Sequence, residues 1–340
     1  MNAAQLSTTL KKAFQLGHQI LVVGKPGVGK SEVISTTTSE SGLDYVVMHP
    51  SVGEPTDVKG FPWCSQTADG VKAEFVTYGE MERLLHPKRR TVCCFDDVGQ
   101  ASEQMQAALM QVLWARELNG KKISDNIVFC GATNDITDKA AVSGFIEPFK
   151  SRWHSIIRFT PDHEDWIKWA YNHSMPDDLI AYTRYRPGSL NAHKATKTLE
   201  SSPCPRTVAM LGNMILAKYD KSVMYELGAG SVGEAYITDF LAYQKMRSQL
   251  FDLKLCLSEP DTAPIPDEPS VLFSVTTGLA RMTNPSNFKK CLQYAERLPK
   301  EFCVMLMKDI NLANGASMMK VKDYTTWLID NQVYIMGERE

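Results

Sequence analysis

The chain has 340 residues, 44% hydrophobic and 22% charged, which suits about two domains with an ample core. Against 39 Asp and Glu stand 37 Lys and Arg; the net charge of −2 excludes a surface that binds polyanions throughout, though it permits local basic patches. With 21 glycines and 17 prolines the chain is neither collagen-like nor low in complexity, and no apolar stretch reaches the ~18 residues a membrane helix needs.

The first residues, MNAAQLSTTLKK, lack the basic-then-apolar order of a signal peptide, so a cytoplasmic location without membrane insertion is expected. Leu6, Leu10 and Phe14 recur every four residues and predict a helix that Gly17 can end. Short β-rich runs follow at 20–23, 45–48, 92–95, 127–130 and 155–159. Such apolar runs, separated by helical stretches, predict an α/β fold with a parallel five-stranded sheet covered on both faces. Met105, Leu109 and Leu113 mark the clearest intervening helix.

Residues 60–79 break this rhythm. Gly60 to Trp63 and Glu74 to Tyr78 flank a polar turn at Ala68-Asp69-Gly70, which predicts an inserted β-hairpin. Phe61 and Trp63 on it either form a partner-facing tip or pack against the sheet. Asn119-Gly120 predicts a second hairpin. The basic run His86-Pro87-Lys88-Arg89-Arg90 is read as a solvated approach to the next strand, in preference to a nucleic-acid contact.

Beyond Phe159 the strand pattern stops. Trp166, Trp169 and Ala170, then Val208, Leu211, Ile215 and Leu216, suggest helices punctuated by prolines. The segment 259–269, EPDTAPIPDEP, reads as a linker, and helical patterns resume at 286–296, 300–311 and 322–331. The eight cysteines form no C-x-x-C pair and read as reduced core residues; the seven histidines show no metal-ligand spacing.

The strongest motif is Gly24-Lys25-Pro26-Gly27-Val28-Gly29-Lys30-Ser31, a G-x-x-x-x-G-K-[ST] match after a strand and before a helical stretch. Its glycines permit backbone angles that aim N–H groups at phosphate oxygens, and the next helix offers its positive end. Gly24, Pro26, Gly27, Val28, Gly29, Lys30 and Ser31 are the expected nucleotide-binding residues, with Lys30 on the β/γ-phosphates and Ser31 on Mg²⁺. An acid is expected at the end of a neighbouring strand. Val92-Cys93-Cys94-Phe95-Asp96-Asp97 supplies it: Asp96 to hold Mg²⁺ and Asp97 to orient or activate water as a general base.

With these motifs in place, residues 1–250 resemble the MoxR-like AAA+ ATPases of the helix-2-insert clade. Glu54 to Gly60 resembles the segment that opens the insert, and Asp96 to Ala101 the extended Walker B. The second hairpin stands where the family has its pre-sensor-1 hairpin. Gly131-Ala132-Thr133-Asn134 resembles the sensor-1 segment, with Asn134 as its polar residue. Phe149-Lys150-Ser151-Arg152-Trp153 resembles the segment carrying the arginine finger; Arg152 is the expected finger and Arg158 a weaker alternative. Ser202 to Thr207 resembles the sensor-2 motif, which implies that Arg206 contacts the γ-phosphate. The chain departs from most relatives at Asp97, where they have Glu; the shorter carboxylate puts fast hydrolysis in doubt.

The resemblance implies three regions: an AAA+ core over 1–160, an α-helical lid over 161–255, and a linker with a helical C-terminal extension over 256–340. It implies an ATP- and Mg²⁺-dependent ATPase that forms a homo-oligomeric ring, expected to be a hexamer. Such a ring would remodel a protein client or a von Willebrand A-domain partner. A nucleotide-gated scaffold with slow turnover and the motor subunit of a DNA-processing complex are the alternatives. Direct nucleic-acid binding is not expected, given the acidic balance and the lack of a base-reading module.

Overall fold

The computed structural model describes residues 1–68, 70–135, 144–192, 199–250 and 252–336. Two compact units divide between Asp162 and His163. The first unit runs α1 (Ala3–Leu16), β1 (Ile20–Val23), α2 (Lys30–Glu40), β2 (Asp44–Met48), α3 (Pro55–Lys59), β3 (Phe61–Thr67), β4 (Gly70–Val76), α4 (Gly79–Leu85), β5 (Thr91–Phe95), α5 (Glu103–Met110), β6 (Glu117–Leu118), β7 (Lys121–Lys122), β8 (Ile127–Thr133), α6 (Glu147–Lys150) and β9 (Ser155–Arg158).

Local chemistry sets these boundaries. The Asn2 side chain accepts from the Gln5 N–H at the start of α1, and Gly17 closes the helix in the left-handed region at φ 75°. Leu6, Leu10 and Phe14, the predicted stripe, are fully buried.

Five strands form one parallel sheet in the order β2-β5-β8-β1-β9. One expectation needs correction here. The strand that leads into Asp96, β5, is not the neighbour of β1, because β8 lies between them. Chain order cannot reveal this, since β8 follows β5 in sequence yet inserts beside β1. The alternation along each strand feeds two cores. Cys93, Phe95, Phe129 and Leu21 pack with α5 residues on one face, whereas Val92, Cys94, Cys130 and Val22 pack with Leu10, Phe14 and Ile34 on the other.

Both predicted hairpins form. β3 and β4 pair antiparallel from Phe61↔Val76 to Thr67↔Gly70, and β6 pairs β7. Every residue of β3 and β4 except Ser65 is exposed, so Phe61 and Trp63, 55% and 63% exposed, do not pack against the parallel sheet. Phe61 stacks on Tyr78 instead. The basic run is engaged within its own unit: Arg90 donates to the carbonyls of Phe14 and Gln15 at the end of α1, and Arg89 pairs with Asp44.

The second unit is helical: α7 (His163–Asn172), α8 (Asp177–Tyr185), α9 (Pro205–Leu216), α10 (Lys221–Val232), α11 (Glu234–Leu250), α12 (Leu253–Ser258), α13 (Pro269–Met282), α14 (Phe288–Ala295), α15 (Lys300–Asn314), α16 (Lys322–Asp330) and α17 (Gln332–Met336). One apolar cluster gathers α7 to α11 around Tyr182 and Phe240; a second gathers α12 to α16 around Phe288, Tyr294 and Tyr324. The proline-rich segment is tied down at its carbonyls, with Arg297 donating to Pro260 and Tyr294 to Pro264. All eight cysteines are free; seven are buried and Cys64 is exposed on the first hairpin. Burial holds the Cys93 thiol well above its ordinary value and pushes that of Cys291 up to about 12, which suits inert packing residues. No helix among the described residues is long and apolar enough to cross a membrane.

Candidate functional site

Three strand ends converge because of the β5-β8-β1 order. Phe95, Gly131 and Leu21 stand in register, so Asp96 and Asp97, Asn134 and the loop after Val23 emerge side by side. The main-chain pairing runs one residue past β1, where the Gly24 N–H donates to the Thr133 carbonyl at 3.2 Å.

The loop is shaped by its glycines. A Cβ on Gly24 would stand 2.7 Å from the Phe159 carbonyl oxygen, a distance no side chain tolerates. Gly29 precedes α2 at φ 100°, a left-handed angle that frees the first N–H groups of the helix to face a ligand. Val28 is buried and anchors the loop into the core around Ile34.

Lys30 is 7% exposed. Its ammonium donates to the carbonyls of Gly24 (2.8 Å) and Lys25 (2.9 Å) and to Asn134 Oδ1 (2.8 Å). Asn134 faces the other way with its amide nitrogen, donating to Asp97 Oδ1 at 3.4 Å. These two contacts fix which end of the amide is oxygen: it must face a cation on one side and a carboxylate on the other. Ser31 donates its hydroxyl to Asp96, 2.9 Å from both carboxylate oxygens. Asp97 occupies the left-handed region at φ 53°, which Asp tolerates better than most residues, and starts the 3₁₀ turn Val98–Gln100.

This donor set fits a magnesium-bound triphosphate. It combines a lysine, a hydroxyl beside a carboxylate, and helix N–H groups. No group of three or more His, Cys, Asp or Glu among the described residues is placed to hold a metal by itself. Mg²⁺ commonly takes only one or two protein ligands, with phosphate and water completing its shell.

The three arginines differ in placement. Arg152 follows α6, is partly exposed, and lies with its guanidinium 5.1 Å from the centre of the Trp114 ring. Its Nη1 donates to the adjacent Ser151 Oγ at 2.9 Å, while Nε is buried without a hydrogen-bond partner among the described residues. It is not part of the Lys30–Asn134–Asp97 cluster. Arg158, on β9, forms an ion pair with Asp135, directly after Asn134. Arg206 is an exposed residue in the first turn of α9 in the second unit, following Pro205.

Three residues around this site have roles that the sequence did not assign. Thr133 accepts the Gly99 N–H at 3.2 Å and so braces the turn after Asp97. Trp114 stands on a widened π-type turn, Gln111–Ala115, and is 70% exposed. Gln106 is fully buried on α5. A polar residue at apolar helical spacing, three before Leu109 and seven before Leu113, was the available signal for Gln106.

The sheet order and the acid–amide–loop alignment define a P-loop α/β fold. No protein-family model matches the chain, and no curated protein matches it. Among solved structures it is similar to the RuvB Holliday junction branch migration motor of Thermotoga maritima, at 16% identity and a TM-score of 0.40, covering 81% of this chain and 80% of that one. It is also similar to NtrX from Brucella abortus in complex with ADP, at 13% identity and a TM-score of 0.39, covering 97% and 67%. A putative ATPase from Cytophaga hutchinsonii follows at 10% identity and a TM-score of 0.33, covering 71% and 89%. These likenesses are too distant to bear on function; the fold assignment rests on the strand order and the site geometry.

Proposed function

We propose that the chain is an oligomeric, Mg-ATP-dependent AAA+ ATPase of MoxR type that hydrolyses ATP at subunit interfaces and acts on a protein partner. The observation that carries this reading is the Asn134 amide held between the Lys30 ammonium and the Asp97 carboxylate. One side chain there links a phosphate-binding cation to a base.

The geometry supports the following residue roles. Gly27, Gly29 and the start of α2 offer N–H groups to the phosphates, and Lys30 places its charge on the β/γ oxygens. Ser31 and Asp96 would hold a magnesium ion, which would supply charge neutralisation on the phosphate oxygens. Asp97 takes a proton from the water that Asn134 helps to orient. As that water bonds to the γ-phosphorus, the bond to the β–γ bridging oxygen breaks, leaving ADP and phosphate. Arg152 lies partly exposed and is paired with no carboxylate among the described residues, which supports its use on the nucleotide of an adjacent subunit. Arg206 would report the γ-phosphate to the helical unit. The outward apolar face of the first hairpin supports contact with a protein client, and the MoxR resemblance adds a von Willebrand A-domain partner.

The test is ATP turnover against protein concentration, with Arg152→Ala alongside. Specific activity should rise with concentration, and Arg152→Ala should lose turnover while keeping ATP binding. Turnover that is independent of concentration and unchanged in Arg152→Ala would refute the interface reading. A second reading, a slow assembly scaffold, is favoured by one observation: Asp97 is a short carboxylate on a left-handed backbone. It predicts ATP-dependent oligomers with negligible turnover.

A further inference from the structure

Gln106 lies on the buried face of α5 beside Met105 and Leu109. A buried amide must find partners, and this one finds three on two separate segments. Its Nε2 donates to the Ala101 carbonyl (3.0 Å) and the Gly144 carbonyl (2.9 Å), and its Oε1 accepts the Ile146 N–H (3.1 Å). Leu or Met would fill similar volume without any of these bonds.

Each end of the grip leads to the chemistry. Ala101 closes the 3₁₀ turn that begins at Asp97, its N–H donating to Val98 and that of Gln100 to Asp97. Gly144 and Ile146 are two residues apart, so one amide holding both reproduces a pair of β-ladder bonds and fixes that segment's position and direction. Ile146 is the N-cap of α6, its carbonyl receiving the Phe149 N–H at 2.9 Å; the Phe149 carbonyl in turn receives the Arg152 N–H at 3.2 Å. Stacking of Phe145 on Phe149, and of Phe149 edge-on to Trp153, stiffens the same segment.

We infer that Gln106 is a positioning residue that sets Arg152 for the adjacent subunit and ties it to the turn carrying Asp97 of its own subunit. This rests on the proposed role of Arg152 as a residue acting across the interface. Through Gln106, movement of the Asp97 turn in one site would be felt by the arginine offered to the next.

The test uses mixed assemblies of the full chain. Gln106→Leu is assayed alone and with equimolar Lys30→Ala, whose own site is dead but whose Arg152 segment is intact; Arg152→Ala is treated identically. Alone, Gln106→Leu should lose about 10- to 100-fold in kcat, with KM for ATP within about twofold of wild type. Mixing should restore about half the wild-type rate per intact site, because half of those sites then meet an intact neighbour in a closed ring. Ile146→Pro removes the N–H that Gln106 accepts without altering α5, and the native φ of −66° suits proline. It should behave the same way and serves if Gln106→Leu does not fold. Wild-type turnover in these variants would overturn the inference. So would a loss that Lys30→Ala cannot rescue while it does rescue Arg152→Ala. If Arg152→Ala is not rescued either, the interface role of Arg152 is wrong and the inference falls with it.

Discussion

Arg184 in the helical unit and Arg152 in the α/β unit are the same residue put to opposite uses. Arg184 is buried and spends its donors at home. It grips the fully buried Asp309 with both terminal nitrogens and reaches Glu164 at 3.3 Å, and Tyr171 adds a 2.8 Å bond to the same Asp309. Burial works against the Arg184 charge, but the Asp309 carboxylate and Glu164 outweigh it and hold the guanidinium protonated. Among the described residues, the Arg152 side chain contacts Ser151 and the face of Trp114. An arginine matched by its own fold fastens elements together. One that stays partly exposed beside an exposed ring, with no carboxylate of the described residues paired to it, keeps its charge for another molecule.

The largest effect that could break this contrast is on turnover. Arg152→Ala should lower kcat by about 10³-fold or more at an unchanged unfolding midpoint, as measured by steady-state kinetics and denaturant titration. A stability loss in place of a rate loss would put Arg152 in the same class as Arg184. The converse holds for Arg184→Met, which strands Asp309 and should cost about 3–5 kcal/mol of stability. The double variant Arg184→Met/Asp309→Leu should regain most of it in the same titration. If the double variant is no better than the single, the pair is not what binds α8 to α15.

Asp97→Glu sharpens the chemistry. If carboxylate reach limits hydrolysis, kcat should rise by about tenfold or less, since one methylene is at stake. A fall would mean that the left-handed backbone already aims the shorter acid correctly. The smallest effect is expected from Trp114→Ala. An exposed cation–π contact is worth about 0.5–1 kcal/mol, so turnover should change only a few-fold, with ATP affinity unaltered in equilibrium binding.

The P-loop, the Asp96-Asp97 pair and Asn134 were legible in the sequence because each is a short contiguous motif at the end of an apolar run. Their joint register was not, because it depends on β8 inserting between β5 and β1. Gln106 and Ile146 are 40 residues apart, and Arg184 and Asp309 are 125 apart. Such pairings are made by packing, not by local spacing. The contacts of the proline-rich segment were hidden for a related reason. Its composition reads as a linker and does not show what it touches; a proline's carbonyl still accepts hydrogen bonds, and Arg297 and Tyr294 occupy two such carbonyls.

The first hairpin has a consequence for how the fold can be altered. Its two ends meet: Phe61 pairs with Val76, and the Gly60 backbone passes so close to the Val76 carbonyl that no Cβ would fit. Between those ends, all of β3 and β4 but Ser65 faces outward and contributes nothing to either sheet core. The hairpin is therefore a cassette. It could be shortened, or replaced by a turn joining Gly60 to Thr77, without opening the nucleotide fold. A new binding surface could then be grafted or selected there independently of the nucleotide fold.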